Sequence, residues 1–232
     1  MASMLCILIF VSGCMESSAD LVPDFLSFKK KTVEELSPSD LAEWTLVGVG
    51  EALVDEEKNA LMLAEGNASK GITLLSKRSY KSDVTFSFEI RPLSFEGVSY
   101  VFLSASDVVT MGELKVSDEH LGNINFWTEG RVQNYLFSFH NGFFESKPFI
   151  KKNPGLKDVA ISPDVFKGKE SYNVEVGRRG RRLWIKIDGK TVARGSDKAR
   201  GGLPPGRLGF RLRGHGAGAY RCMIRNVVIS EG

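Results

Sequence analysis

The stretch from Val132 to Gly155, VQNYLFSFHNGFFESKPFIKKNPG, decides how the rest of the chain is interpreted, and we call it the organising stretch. Its first nine residues contain no Gly or Pro and are rich in Val, Tyr, Phe and Leu, which predicts a β-strand. Side chains alternate between the two faces of a strand. The predicted faces are Gln133, Tyr135, Phe137 and Phe139 on one side, and Asn134, Leu136, Ser138 and His140 on the other. The Asn141-Gly142 pair predicts a tight turn, and the crowding of aromatic, imidazole, amide and lysine groups predicts one wall of a ligand site.

Short alternating runs separated by Gly, Asn, Asp and Pro fill most of the 232 residues. This pattern is typical of an all-β sandwich, and a chain of this length can form one large domain of that class. One capped helical turn is predicted at Ser37–Glu43, and a long loop at 107–121. The further predicted strands are Trp44–Val49, Ala60–Ala64, Ile72–Ser76, Val84–Arg91, Val98–Ala105, Gly122–Thr128, Tyr172–Val176, Leu183–Ile187, Arg207–Leu212 and Tyr220–Ile229.

Positive charge is concentrated in the last part of the chain. Residues 171–232 carry 14 Lys and Arg against 4 Asp and Glu, whereas the whole chain has a net charge of +3. A basic region favours an anionic partner, and solvated surface charge is the alternative. Arg178, Arg179, Arg181 and Arg182 crowd one predicted hairpin tip, where they could bind acidic groups or form a solvated turn. Nucleic acid is not expected as a partner, because aromatic residues are not interleaved with the basic ones.

The N-terminus carries a short apolar segment, Met4–Val11, followed by small residues and a polar spacer. A segment this short predicts a secretory signal rather than a membrane span. Val11-Ser12-Gly13-Cys14 resembles a bacterial lipobox, which would place a lipid on Cys14; a plain cleaved signal is the alternative. We expect a signal peptide over 1–14, a polar tether over 15–37 and a sandwich domain over 38–232. The protein is then exported to the cell envelope, periplasmic or outer, with the membrane as a partner through the lipid anchor.

The cysteine pattern excludes a disulfide framework and a metal site built on cysteine. Cys6 lies within the predicted signal, Cys14 is the predicted lipid acceptor, and Cys222 stands in an apolar strand. Cys222 is expected to be a small buried hydrophobic residue. No cofactor and no metal are expected.

Four features follow one another in a recognisable order: Trp44, LWIKIDGK at Leu183–Lys190, GRLGFR at Gly206–Arg211, and YRCMIRNVVI at Tyr220–Ile229. With the organising stretch, they resemble the concanavalin A-like lectin/glucanase sandwiches and, among these, the YesU-like family of largely uncharacterised bacterial proteins linked to pectin-type polysaccharide breakdown. The 3-keto-disaccharide hydrolase-like domains end similarly and are the nearest alternative. The resemblance implies a jelly-roll sandwich of two antiparallel sheets, with a carbohydrate cleft on its concave sheet.

Sugar binding requires aromatic faces for the C–H surface of the ring and amides or charges for its hydroxyl groups. Two predicted strands supply such groups. The candidate binding residues are Asn123, Asn125, Trp127, Arg131, Asn134, Asn141, Lys151 and Lys152. For Trp127 and Tyr135 a place in the hydrophobic core is the alternative, and Trp184 is a candidate second platform.

Catalysis is the second hypothesis, using the same cleft as a uronate lyase or a glycoside hydrolase. The E-x-D-x-x-E strand pattern of sandwich glucanases is absent, and Glu129 is isolated in sequence, so a carboxylate pair would have to form in space. For elimination, His140 or Tyr135 would take the proton while lysine or arginine neutralises the uronate carboxylate. The third hypothesis is a cell-envelope interaction protein without a sugar site. Its concave face would be filled by side chains or covered by residues 107–121.

Overall fold

The computed structural model describes residues 31–94, 97–110, 114–116, 122–141, 146–165, 170–214 and 219–232, apart from the side chains of 31–33, 140 and 141. The first strands are β1 (Lys31–Leu36), β2 (Thr45–Val47), β3 (Gly50–Asp55), β4 (Ala60–Glu65), β5 (Ile72–Tyr80), β6 (Val84–Pro92) and β7 (Gly97–Asp107). The later strands are β8 (Val132–Asn141), β9 (Phe149–Asn153), β10 (Lys157–Ile161), β11 (Tyr172–Arg179), β12 (Arg182–Ile187), β13 (Lys190–Ser196), β14 (Gly206–Gly214) and β15 (Arg221–Glu231). The helices are α1 (Pro38–Ala42) and α2 (Ile124–Thr128).

The strands form two antiparallel sheets that pack face to face. The eight-stranded sheet has the order β13-β12-β11-β6-β15-β4-β3, with β1 also paired to β15. The seven-stranded sheet has the order β10-β9-β8-β7-β14-β5-β2. Alternate residues of the strands fill the core between them, as where Phe88 of β6 meets Phe210 of β14 edge to face at 5.3 Å between ring centroids. The predicted all-β sandwich of two antiparallel sheets is confirmed.

Strand β8, from the organising stretch, lies between β7 and β9. Tyr135, Phe137 and Phe139 are fully buried in the inter-sheet core, so the predicted alternation is confirmed. Leu136 and Ser138, on the opposite face, are buried as well. Something therefore covers the outer face of this strand.

Helix α2 covers the outer face of β8. The sequence predicted a strand, not a helix, over Gly122–Thr128. That prediction is wrong because Asn123 acts as a helix cap: its side-chain oxygen accepts the Asn125 backbone N–H at 3.1 Å. Ile124 and Trp127 are spaced three residues apart, which puts both on one face of a helix. They pack with Leu114 on the seven-stranded sheet in a second hydrophobic cluster.

The N-terminal boundary of the domain also differs from the prediction. Residues 31–36, assigned to the tether, form β1, which pairs with the last strand from Lys31 opposite Glu231 to Leu36 opposite Val227. The predicted helical turn is confirmed, because Ser37 and Asp40 cap it reciprocally. The predicted signal peptide, Cys14 and residues 15–30 lie outside the described residues.

Cys222 is a free thiol, fully buried in β15, as predicted. Burial raises the pKa of this thiol far above its ordinary value, which keeps it protonated. No helix in the described part of the chain is long and apolar enough to cross a membrane.

Candidate functional site

The outer face of the seven-stranded sheet carries several of the predicted site residues. The residues on this outer face can be identified from the alternation of side chains along each strand. Phe210 and Leu212 point into the inter-sheet core, so Arg211 between them points outward. Tyr100 of β7 and Ser138 of β8 face outward for the same reason. These three residues lie in one row, because Arg211 is in register with Tyr100 and Tyr100 with Ser138.

Helix α2 covers one half of this outer face. The Trp127 ring is fully buried and stacks on Phe102, with ring centroids 4.9 Å apart and planes inclined by 20°. Asn134, also fully buried, donates from Nδ2 to the Trp127 carbonyl at 2.7 Å and accepts from Asn153 Nδ2 at 2.9 Å. Both Trp127 and Asn134 were expected to contact sugar. The structure corrects this: they hold the helix on the sheet, and neither is open to a ligand.

The other half of the face is partly open to solvent. We call it the aromatic-basic surface and define it by Val98, Tyr100, Phe149, Lys151 and Arg213, all partly exposed. Lys151 Nζ lies 5.2 Å from the Phe149 ring centroid, and two partly exposed aromatic rings share this half of the sheet. Of the predicted binding residues, Lys151 belongs to this surface.

Two carboxylates flank the aromatic-basic surface, one at each side. Glu65 is paired with Arg213 at 3.4 Å, and Asp158 with Lys151 at 3.2 Å. Asp158 belongs to β10 and Arg213 to β14, four strands apart in the sheet, or about 19 Å at ordinary strand spacing. A retaining glycosidase needs its carboxylates about 5 Å apart, so these two cannot form such a pair.

Arg211 lies beside the Tyr100 ring, with the guanidinium carbon 5.6 Å from the ring centroid. The arginine is 1% exposed, and its hydrogen bonds to the described residues all go to backbone carbonyls. Nη2 donates to Lys70 at 2.7 Å and to Gly122 at 2.8 Å, and Nη1 donates to Leu212 at 3.2 Å. Burial lowers the pKa of Arg211 to about 10, so the side chain is still charged at neutral pH.

Three buried polar atoms of this row have no hydrogen-bond partner among the described residues: Arg211 Nε, Ser138 Oγ and Thr73 Oγ1. Thr73 of β5 belongs to the row because it is in register with Arg211. Buried polar atoms are nearly always paired in folded proteins, so three unpaired ones in a single row are unusual. The row therefore combines one positive charge with unused hydrogen-bonding capacity.

Tyr135 and Lys152, predicted as catalytic and binding residues, meet on Asp197 between the two sheets. Its Oδ2 accepts from the Tyr135 hydroxyl at 2.6 Å and from Lys152 Nζ at 2.7 Å. Burial and the hydrogen bond to Asp197 raise the pKa of Tyr135 well above its usual range. Burial acts to raise the pKa of Asp197 too, but the hydrogen bonds from Lys152 and Tyr135 outweigh it, and the net shift is downward. Tyr135 is therefore a protonated structural phenol at neutral pH, and proton abstraction by it is not supported.

The predicted arginine-rich hairpin tip divides into one buried and three exposed members. Arg179, Arg181 and Arg182 are exposed. Arg178 is 2% exposed, donates from Nη1 to Ser104 Oγ at 2.8 Å, and lies 5.1 Å from the Tyr135 ring centroid. The three exposed arginines fit the predicted solvated turn. Arg178 does not, because its hydrogen bond to Ser104 links the eight-stranded sheet to the seven-stranded sheet. Trp184, the candidate second platform, points away from the core but is 5% exposed, and its Nε1 donates to Glu175 at 2.8 Å.

The remaining predicted residues lie at α2 and its ends or at the end of β8. Asn123 caps the helix, Asn125 is exposed, and Glu129 is exposed at its C-terminal end. Arg131 is exposed and pairs with Asp107 at 3.2 Å. Strand β8 ends with His140, whose backbone lies opposite Val98, and Asn141, opposite Gly97; their side chains are outside the described part, as is Gly142 of the predicted turn.

Two grooves lie elsewhere on the molecule. The edge groove, of about 720 Å³, runs between the ends of β10 and β13 and includes Ile161 and Arg194. The charged groove, of about 570 Å³, lies on the outer face of the eight-stranded sheet and includes the ion pair Glu89–Arg225 at 2.7 Å. No aromatic side chain is among the described residues that line either groove, which distinguishes both from the aromatic-basic surface.

Sequence reasoning did not single out Tyr100, Arg211 or Arg213, whereas Phe149 belongs to the Val132–Gly155 stretch that was predicted to form one wall of a ligand site. A signal for the arginines exists in RLGFRLR at Arg207–Arg213, where charged residues alternate with Leu and Phe in a strand. The alternation places Arg211 and Arg213 together on the face opposite the core. Tyr100 could not be separated from its apolar neighbours in the same way.

Comparison with known proteins adds to this geometry. No protein-family model matches the chain, and no curated protein matches it. Among solved structures, a protein of unknown function with a galectin-like fold from Bacillus subtilis superimposes with a TM-score of 0.70 at 15% identity, over 87% of this chain and 98% of that one. The fold is a jelly-roll sandwich.

Two further structures have related folds. A carbohydrate-binding module of the CBM66 class from Bacillus subtilis gives a TM-score of 0.56 at 15% identity, over 82% of this chain and 97% of that one. The Emp47p carbohydrate recognition domain also gives 0.56, at 17% identity, over 83% and 93% of the two chains. These similarities establish the lectin-like sandwich, while the narrower YesU-like assignment stays a prediction.

Proposed function

We propose that the protein binds a polysaccharide through the aromatic-basic surface. The observation that carries this proposal is the pair of partly exposed rings, Tyr100 and Phe149, on the same face as Lys151 and Arg213. Flat rings suit the C–H faces of sugars, and cations suit their hydroxyl or acidic groups. Burial raises the pKa of Tyr100, an effect that the nearby Arg211 charge offsets in part, so its hydroxyl remains a hydrogen-bond donor at neutral pH.

Several of the solved structures with this fold are named for carbohydrate recognition, which supports the proposal. A pectin-type or other acidic glycan is the substrate class that we propose, because the three cations Lys151, Arg211 and Arg213 outnumber the two carboxylates, Asp158 and Glu65, that flank this surface. The described residues do not favour a lyase or hydrolase: the flanking carboxylates are far apart, and Tyr135 is a buried phenol bonded to Asp197. The side chain of His140, the other predicted base, lies outside the described residues. The envelope-protein alternative draws support from α2, which covers half of the face, and the experiment below tests it as well.

The experiment measures binding of the full chain to a panel of acidic and neutral polysaccharides, together with the ultraviolet absorbance of unsaturated uronate products. We expect binding without turnover, weakened about tenfold in Tyr100→Ala, the usual scale for loss of an aromatic contact with a ligand. Phe149→Ala should act in the same direction. Leu53→Ala is the control, because Leu53 is 46% exposed on the eight-stranded sheet. Product formation would establish the enzyme alternative. If no polysaccharide of the panel is bound or degraded, the hypothesis of an envelope interaction protein without a sugar site is favoured.

We also propose that the chain is exported and anchored to the cell envelope through a lipid on Cys14. The lipobox-like VSGC sequence at Val11–Cys14 supports this proposal. Mass spectrometry of the protein from a bacterial host should show diacylglycerol on Cys14, and no lipid in Cys14→Ser. An unmodified cysteine at the mature N-terminus would indicate a plain cleaved signal, and an uncleaved chain would contradict export.

A further inference from the structure

We infer that Arg211 makes the aromatic-basic surface selective for anionic sugars, whose carboxylate or sulfate group it attracts. The inference rests on the proposed glycan binding and adds the residue that sets charge specificity. Arg211 is a positioning residue in this account, because it is buried behind the surface and acts through its charge.

The charge of Arg211 is not neutralised by any carboxylate in the described hydrogen bonds and ion pairs. Arg213 and Lys151, the exposed cations of the surface, are each paired with a carboxylate at 3.4 and 3.2 Å. Arg211 donates to three backbone carbonyls instead, and its Nε has no partner. The N–H donors of Arg211 are explained by a structural role, because they hold the backbone at Lys70 and Gly122. The Glu65 carboxylate helps to stabilise this buried charge, but it forms no direct ion pair with Arg211 among the described residues.

Tyr100 links this charge to the surface. Its ring centroid is 5.6 Å from the guanidinium carbon, and the ring is partly exposed. A sugar stacked on the face of Tyr100 away from Arg211 would hold its acidic group about 9 Å from the guanidinium, which is the ring distance of 5.6 Å plus one van der Waals stacking distance. Two opposite charges at that separation attract enough in a partly desolvated site to change affinity on the order of tenfold, with salt weakening the effect.

Two unpaired hydroxyls lie in the same row as the charge. Ser138 is in register with Tyr100 and Thr73 with Arg211. Both residues are fully buried, so their hydroxyls do not contact a ligand on the surface. The row therefore acts on an anionic sugar through the charge of Arg211.

The experiment compares matched probes on the full chain: polygalacturonate against its carboxyl-reduced form, and a sulfated dextran against dextran. For wild type we expect about tenfold tighter binding of at least one acidic probe than of its neutral match, a preference that declines as salt is raised. Arg211→Gln should lose the preference while keeping the affinity for the neutral probe, and Arg211→Lys should retain it. Arg182→Gln removes an exposed positive charge from the other sheet and is the control.

A second variant tests the charge without removing the arginine. Thr73→Asp places a carboxylate in register with Arg211, keeps the hydrogen bonds to Lys70 and Gly122, and should abolish the preference even if Arg211→Gln fails to fold. A wild-type preference below twofold, or a preference that persists in Thr73→Asp, would overturn the inference about Arg211 while leaving glycan binding intact. If no probe and no panel glycan binds, the proposed function itself fails.

Discussion

Trp127 is the residue on which the account of the outer face can be tested most sharply. An aromatic side chain buries about 150–250 Å², worth about 4–6 kcal/mol at about 25 cal/mol per Å². Measured Trp→Ala substitutions in cores cost about 3–5 kcal/mol. Because α2 is short and can settle partly into the cavity beside Phe102, we expect Trp127→Ala to lower the free energy of unfolding by about 3 kcal/mol.

The assay is urea unfolding followed by circular dichroism, since removing a tryptophan alters the fluorescence signal. Asn125→Ala, an exposed position on the same helix, is the matched control and should change stability by less than about 0.5 kcal/mol. The alternative reading makes Trp127 an exposed sugar platform. A loss below about 1 kcal/mol for Trp127→Ala, together with abolished glycan binding, would support that reading and refute the packing described above.

Three further predictions concern the interior. Asp197→Asn should destabilise the fold by about 2 kcal/mol at neutral pH; because the pKa of Asp197 is lowered in the folded state, this difference should shrink as the pH falls below about 4, and a pH-independent difference would contradict it. Gly122→Ala should lower the free energy of unfolding by about 3 kcal/mol or more, because φ is +74° and the added carbon would meet the Gly71 carbonyl. Gly180→Ala is the control and should cost about 1 kcal/mol, because φ is +55° but the space around the residue is open. Equal costs in denaturant unfolding would contradict the close approach of Gly122 to Gly71. Cys222 should resist a thiol reagent until the protein unfolds, in a chain whose other cysteines are replaced by serine, and rapid labelling of the native state would contradict its burial.

The sandwich could be predicted from the sequence because most strands have a clear local pattern of alternating residues or turn residues. Val84–Arg91 alternates apolar and polar residues and became β6, and the Asp188-Gly189 turn joins β12 to β13 with positive φ at both residues. Strands with weaker patterns were missed, including β3 and β10. Neither strand has a buried residue, because each is an edge strand with one neighbour.

The candidate site could be predicted only in part, because its composition depends on what covers the sheet. The spacing of Asn123, Asn125 and Trp127 by two residues fits a strand, the spacing of Ile124 and Trp127 by three fits a helix, and the capping role of Asn123 decided between them. Lys151 was anticipated from the organising stretch. Tyr100 and Arg211 come from β7 and β14, and only sheet register brings them together. That register is set by long-range pairing, which a single sequence does not display.

The location of the bound glycan tests the central claim most directly. Amide hydrogen exchange of the full chain, with and without the polysaccharide that binds best in the panel, would report which strands and loops are protected. The account predicts added protection on the face of the seven-stranded sheet, at residues 97–101, 149–151 and 211–213. Protection confined to the edge groove at 161–165 and 190–194, or to the charged groove around Glu89 and Arg225, would contradict it.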